Sequence, residues 1–459
     1  MGSNYIEMRL EDCMDAIIDY RGKTPKKIDN GIPLITAKII KNGRIQEVNE
    51  FIAIDDYDDW MVRGLPLEGD VVLTTEAPLG EVAQLDARKV ALAQRVITLR
   101  GKKGILENDY LLYLLQSSFV QNQLDGRASG STVTGIKQSE LREIILRLPP
   151  VSLQKSISHQ LKCLDKKIDL NNKINKTLEQ MSQTLFKSWF VDFDPVVDNA
   201  LDAGNPIPEA LHSRAELRQK VRNSADFKPL PAEIRSLFPS EFEETEPGWL
   251  PKGWKHGNLN DVTKILSGFA FKSKDFGDEG KSVIKIKNIN IDKTIDIDHT
   301  QKISDIVAKD VKRFQLFDGD ILMAMTGATV GKFGILASKN HEEYYLNQRV
   351  AKFETDKKAY LYCILNQEST ERFIINTAQG SAQPNISAKD ILSIPLTLPS
   401  NEIITIFNTF VDPLFYRMIA NTKVSLSLTE LRDTLLPKLI SGELSLEDLP
   451  DLNTDTEAA

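Results

Sequence analysis

The feature that most constrains this chain is an apolar stripe written twice. Between Val151 and Phe190, apolar side chains recur at Ile157, Leu161, Leu164, Ile168, Ile174, Leu178, Met181 and Leu185. Steps of three and four are the period of a helix with one narrow apolar face. About 35 residues at about 1.5 Å each make a rod on the order of 50 Å long, too long for one small domain to wrap. Between Asn401 and Ile440, Phe407, Val411, Leu414, Met418, Val424, Leu428, Leu431 and Leu435 repeat the stripe, each 250 residues after its counterpart. The sequence thus supplies the rod with its own partner. Midway the stripe turns polar at Asn171, Asn172 and Asn175. A polar layer of this kind fixes the register of paired helices; a solvent-facing kink is the other reading.

The duplication reaches beyond the helices. Gly69-Asp70-Val71-Val72-Leu73 returns as Gly319-Asp320-Ile321-Leu322-Met323, and Tyr110–Leu115 as Tyr360–Leu365. Gly130-Ser131 matches Gly380-Ser381, and Leu148-Pro149 matches Leu398-Pro399, at the same offset. Ala93-Gln94-Arg95-Val96 corresponds to Asn347-Gln348-Arg349-Val350, where the offset has become 254 because loop lengths differ. Runs such as Ile32–Ile40, Gly69–Thr75 and Arg95–Leu99 read as strands, and Asn108 to Leu124 reads as a helix. The fold class expected is a mixed α/β (α+β) tandem repeat. Residues 1–150 form one unit, 151–190 a long helix, 254–400 a second unit and 401–440 a second long helix. Residues 191–253 read as an extended, partly ordered, Pro-rich acidic connector with a short helix at Pro208–Arg222, and 441–459 as a loose acidic tail. A direct repeat whose rods pack antiparallel acquires a pseudo-twofold axis, with the two units held apart by a fixed spacer.

The copies agree in scaffold positions and differ in loops: Asp19–Lys27 has little in common with Ser267–Phe276. One fold kept, with two binding surfaces set independently, gives this pattern. The formal net charge is −8, but its distribution matters more than its sum. Asp194–Gly248 holds eleven acids against six bases, and Ser441–Ala459 six acids and no base. Setting those −5 and −6 aside leaves about +3 for the rest. Arg21–Ile45 holds seven bases and one acid, a strip suited to a polyanion; a solvated lysine-rich loop is the plain alternative.

Cys13, Cys163 and Cys363 lie far apart and suit a reducing cytoplasm. No apolar run of about 18 residues suggests a membrane span, and Met1–Tyr20 has no signal pattern. No catalytic constellation emerges. Gly327-Ala-Thr-Val-Gly331-Lys332 has one residue too few between its glycines for a phosphate loop, and Phe333 stands where Ser or Thr would hold magnesium; it reads as a strand turn. No GxGxxG follows a strand, and no Asn-Pro-Pro-Tyr or Asp-Pro-Pro-Tyr segment offers a grip for a flipped base.

Three segments point to a family. Leu185-Phe186-Lys187-Ser188-Trp189-Phe190-Val191-Asp192-Phe193-Asp194-Pro195 closes the first rod. Gly248-Trp249-Leu250-Pro251-Lys252-Gly253-Trp254 leads into the second unit, and Leu435-Leu436-Pro437-Lys438-Leu439-Ile440-Ser441-Gly442-Glu443-Leu444 closes the second rod. With two variable units and two long helices in this order, the chain resembles the specificity subunit of type I restriction–modification systems. The resemblance implies a non-catalytic subunit in which two target-recognition domains each read half of a bipartite site on double-stranded DNA. It implies that the helices set the gap and dock two modification subunits, which carry S-adenosylmethionine and methylate adenine. Restriction subunits then add an ATP- and magnesium-dependent endonuclease. No cofactor or metal is expected in this chain. The acidic connector and tail are expected to meet basic surfaces on those partners. A stand-alone DNA adenine methyltransferase or nuclease, or a coiled-coil protein scaffold, are the competing readings.

Lysine serves mainly phosphate, whereas Arg, Asn and Gln pair with base edges. On that ground the DNA-contacting candidates in the first unit are Arg21, Lys23, Lys27 and Lys38, with Arg127, Ser131, Thr132 and Lys137 of the small-residue loop. In the second unit they are Lys272, Lys274, Lys287 and Asn288, with Gln379, Ser381, Gln383 and Asn385.

Overall fold

The computed structural model describes residues 5–20, 24–130, 134–246, 248–378 and 384–446. They form two compact units that do not follow chain order. One holds the residues up to Ile168 with those from Leu428 onward; the other holds Asp169–Ser427. The long helices are Val151–Phe186 and Asn401–Ser441.

In the first unit a four-stranded antiparallel sheet runs in the order Met14–Asp19, Val96–Gly101, Val71–Thr75, Leu79–Gln84. A smaller sheet pairs Ile32–Ile35 in parallel with Ala91–Leu92 and antiparallel with Phe51–Ile52. The helix Asn108–Gln116 buries Tyr110 to Leu115 in one core with Val71, Leu73, Ile97 and Leu99. Each such aliphatic side chain contributes about 1.5–3 kcal/mol on burial.

The second unit repeats the plan. Lys264–Ser267, Val350–Glu354, Ile321–Ala324 and Phe333–Ile335 form a sheet in the same order, and Lys281–Ile284 pairs in parallel with Tyr344–Leu346. The registers repeat as well. Thr98 faces Val72 and Val96 faces Thr74, as Lys352 faces Leu322 and Val350 faces Ala324. Offsets of 250 and 254 in sequence thus become one pairing pattern in space. The copies diverge at the smaller sheet, which has three strands in the first unit and five in the second.

The helices are stabilised differently in each unit. In the first, Ile157, Leu161 and Leu164 share a core with Leu435, Leu439 and Ile440. There the Asp165 carboxylate accepts hydrogen bonds from Arg432 at 2.8 Å, Arg44 at 3.0 Å and the Tyr113 hydroxyl at 2.7 Å. In the second, Asn171 Nδ2 donates to Ser425 Oγ at 3.2 Å, and Asn175 Nδ2 to Thr422 Oγ1 at 3.1 Å. Asn421 Nδ2 returns a bond to Asn175 Oδ1 at 2.9 Å. As numbers rise on one helix they fall on the other, so these segments are antiparallel. Asn171 is only 4 % exposed, so with Asn175 it acts as a register device and not a kink, whereas Asn172 is exposed.

That layer also corrects the expected stripe. Met181 is 53 % exposed, and its counterpart Leu431 is 40 % exposed. The buried seam instead passes through Asn171, Ser182, Asn421 and Ser425. The asparagines and Ser425 bond across the pair, and Ser182 Oγ donates to Leu178 O of its own helix; satisfied polar groups can be buried at little cost. The second helix is long and apolar enough to cross a membrane by length and composition, but Phe407, Val411 and Phe415, which make it so, lie within the aromatic core.

The connector is not extended. It folds into helices Asp194–Ala203, His212–Arg222 and Ala232–Arg235 and a hairpin of Phe242–Thr245 with Gly248–Pro251. Its prolines mark helix entries, with Pro195 in the first turn of one helix and Pro231 capping another. Three of its acids are paired with the connector's own arginines. Asp194 takes two bonds of 2.6 Å from Arg214, Asp198 pairs with Arg218, and Asp202 pairs with Arg222 and Arg235. The two arginines hold the Asp202 carboxyl below the usual carboxylate range. Asp194 and Asp198 are buried in these pairs, whereas Asp202 stays half exposed. The tail beyond residue 446 lies outside the described residues.

The polar layer generates a stability prediction. Asn421→Ala strands the Asn175 carbonyl oxygen and should cost about 1–3 kcal/mol, seen as a lowered melting temperature. Adding Asn175→Ala should cost little more, because the two amides act as one network; fully additive losses would refute the coupling.

Candidate nucleic-acid interface

In each copy the same backbone frame carries the candidate loops. Thr75 N donates to Arg95 O at 3.0 Å, and Ile136 N to Thr75 O at 3.0 Å. In the second copy Met325 N donates to Arg349 O at 3.0 Å, and Ile386 N to Met325 O at 2.9 Å. Bridges Glu76–Gly135 and Thr326–Asn385 complete the frame, so the far end of each small-residue loop is stitched beside the start of a central strand. A 3₁₀ turn follows the parallel strand in each copy, Ala37–Ile39 in one and Ile286–Asn288 in the other. Lys38 and Lys287 occupy equivalent, exposed positions on these turns.

The repeated Gly-Asp pairs fix a turn below this frame. Asp70 Oδ2 accepts from Leu67 N at 2.8 Å, and Asp320 Oδ2 from Phe317 N at 2.9 Å. Arg100 forks onto Asp70 at 2.8 and 2.7 Å, while Lys352 and Lys358 neutralise Asp320 at 2.7 and 3.1 Å. Both aspartates are buried and neither is free for chemistry.

In the first copy Lys27, Lys38, Thr24, Glu50, Gln94 and Arg95 line a cavity of about 230 Å³. Two of the expected lysines thus line one cavity together with Arg95, which was not among the expected DNA-contacting residues. Both lysines are exposed, and Lys27 is engaged by Glu50 at 2.8 Å. Arg127 pairs with Glu140 at 3.3 Å, and Lys137 is exposed at the start of helix Gln138–Arg142. Arg21, Lys23, Ser131 and Thr132 lie outside the described residues.

In the second copy Lys272 and Lys274 are exposed around the turn Ser273–Asp275. That turn adjoins a cluster in which Phe269, Phe271, Phe276 and Phe314 stand 5.0–5.8 Å apart. Asn385 is exposed on its bridge to Thr326. Gln379, Ser381 and Gln383 lie outside the described residues. Asn288 must be withdrawn as a base reader. It is 1 % exposed, its Oδ1 accepts from Lys285 N at 3.0 Å, and its Nδ2 donates to His299 O at 3.2 Å. Both ends of the amide are used to close the turn that presents Lys287.

The glycine loop is a strand turn, Gly327–Thr329, between Ile321–Ala324 and Phe333–Ile335. Among the described residues no group of three or more His, Cys, Asp or Glu could hold a metal ion.

A family model described as "Type I restriction modification DNA specificity domain" matches residues 3–180 and again 251–424. The chain belongs to this family. Each specificity-domain match takes in one copy of the fold and most of the long helix that follows it. The type I restriction enzyme MjaIX specificity subunit of Methanocaldococcus jannaschii is 26 % identical over 384 residues, 83 % of this chain and 79 % of that protein. The type I restriction enzyme HindI specificity subunit of Haemophilus influenzae is 27 % identical over 380 residues, 78 % of this chain and 82 % of that protein. In fold, the chain is similar to the crystal structure of the type I restriction–modification S subunit from M. genitalium. The TM-score is 0.53 at 15 % identity, covering 98 % of this chain and 97 % of that one.

Lys27, paired with Glu50, and Lys38, which has no carboxylate partner among the described residues, should behave differently toward DNA. Lys38→Gln should lower the slope of log affinity against log salt by about 1, while Lys27→Gln changes it much less, because Glu50 already balances Lys27. Titration of duplex DNA at several salt concentrations reads both slopes; equal effects would place the two lysines on the same footing.

Proposed function

We propose that this chain is the non-catalytic DNA-specificity subunit of a type I restriction–modification complex. Each copy of the fold reads one half of a bipartite duplex site, and the helices set the gap between the halves. The observation that carries this reading is one frame used twice with different loops on it. Two identical readers would suit a palindrome; readers that share registers but differ in sequence between Asp19–Lys27 and Ser267–Phe276 suit two different half-sites.

The partners in this reading are two modification subunits and the restriction subunits, which bring S-adenosylmethionine, ATP and magnesium, in the cytoplasm where the DNA lies. Support for docking comes from the helices. Met181 and Leu431 are equivalent in the repeat, apolar and exposed, and an apolar side chain repeatedly left in water marks a contact surface better than a scattered one does.

The experiment is to map methylated adenine in DNA from cells carrying this chain with its modification subunits. The reading expects a motif of two unlike halves separated by a fixed unread gap. Replacing residues 254–400 with those of a relative should change one half and leave the other. A contiguous motif, or methyl transfer by the purified chain alone, would refute it.

A further inference from the structure

The two copies differ in the loops that could read a base, yet Gln94-Arg95 and Gln348-Arg349 are the same two residues at the same place. Both arginines are exposed at the head of a central strand, Val96–Gly101 in one copy and Val350–Glu354 in the other. Each has its carbonyl oxygen held by the equivalent amide, from Thr75 or from Met325. In the first copy Arg95 lines the cavity that also holds Lys27 and Lys38.

One difference stands out. Arg95 pairs with Glu76 at 2.7 Å. The residue equivalent to Glu76 is Thr326, which carries no charge, and among the described residues Arg349 has no carboxylate partner.

A residue common to two readers of unlike half-sites cannot be what tells those half-sites apart. What the half-sites share is the sugar–phosphate backbone. Resting on the specificity reading above, we propose that Arg95 and Arg349 are equivalent phosphate-anchoring residues. Glu76 partly neutralises the first anchor, so the second copy grips the backbone more strongly. On binding, the Arg95 guanidinium exchanges a carboxylate for a phosphate, whereas Arg349 meets its phosphate without giving up a partner. A surface ion pair of this exposure is weak enough for such an exchange.

The test uses the full chain assembled with its modification subunits and two short duplexes, one with the methylated motif and one of random sequence. Arg349→Gln should weaken both to the same extent, by about tenfold, and lower the salt slope by about 1. Arg349→Lys should keep most of the slope, because a phosphate accepts either cation. Arg95→Gln should have a smaller effect than Arg349→Gln, and Glu76→Gln should tighten both duplexes. Loss confined to the motif duplex would make Arg349 a base reader and overturn the proposal, as would unchanged affinity and slope in Arg349→Gln. If Glu76→Gln changes nothing, the claimed inequality of the anchors is wrong. The unsubstituted complex separates the two ideas. If it prefers the motif duplex while Arg349→Gln is silent, only the anchor proposal falls; if it shows no preference, the specificity reading falls too.

Discussion

A short polar layer between two helix segments governs how the second unit is put together. Asn171, Asn175 and Asn421, with Ser425 and Thr422, bond to one another across an otherwise apolar seam. Leucines in their place would pack in several registers; amides left without partners at any other register would each cost about 1–3 kcal/mol. The layer thus trades some stability for a single alignment. Below it the same two segments meet in an aromatic knot. Phe190 stands 4.9 Å from Phe407, and Trp189 stands 5.6 Å from Phe407 and 5.0 Å from Phe238.

That knot explains the Ser-Trp-Phe-Val-Asp-Phe-Asp-Pro segment without invoking a site. The chain leaves the helix through the turn Lys187–Val191, which buries Trp189 and Phe190. Ser188 and Arg214 then clamp Asp194 at 2.7 and 2.6 Å, and the next helix begins. Aspartates at 194, 198 and 202 meet arginines at 214, 218 and 222, with the four-residue step of facing helix surfaces on both sides. The end of the second long helix has an equally local logic in the first unit. Leu439 and Ile440 are buried, and Gly442 takes φ +76°, the left-handed turn that ends a helix without a side-chain clash.

Much of this was legible in the sequence, for a specific reason. Duplication lets one copy act as a control for the other, so Gly69-Asp70 with Gly319-Asp320 and the strand at Val96 with that at Val350 announced shared backbone roles. The same logic failed where tertiary context overrode local pattern. Met181 and Leu431 looked like seam residues because apolar spacing alone cannot show which face of a helix a polar layer has claimed. The helix at Pro208–Arg222 was legible in the connector, but those at Asp194–Ala203 and Ala232–Arg235 were not, because a proline-rich acidic stretch does not show that Pro195 and Pro231 open helices. Asn288 looked like a base reader because an amide's type does not reveal that its own turn consumes it. Arg95 and Arg349 are hard to single out from sequence because repetition marks scaffold and shared backbone contacts alike.

The claim that everything else depends on is that the two long helices clasp through the Asn171–Ser425 layer in one antiparallel register. Introducing Asn171→Cys and Ser425→Cys together, with Cys13, Cys163 and Cys363 replaced by serine, tests it by oxidation and non-reducing electrophoresis. The account predicts rapid formation of a disulfide within one chain, and none when Ser425→Cys is replaced by a cysteine at exposed Val424. An absence of that cross-link, or its formation only between chains, would contradict it.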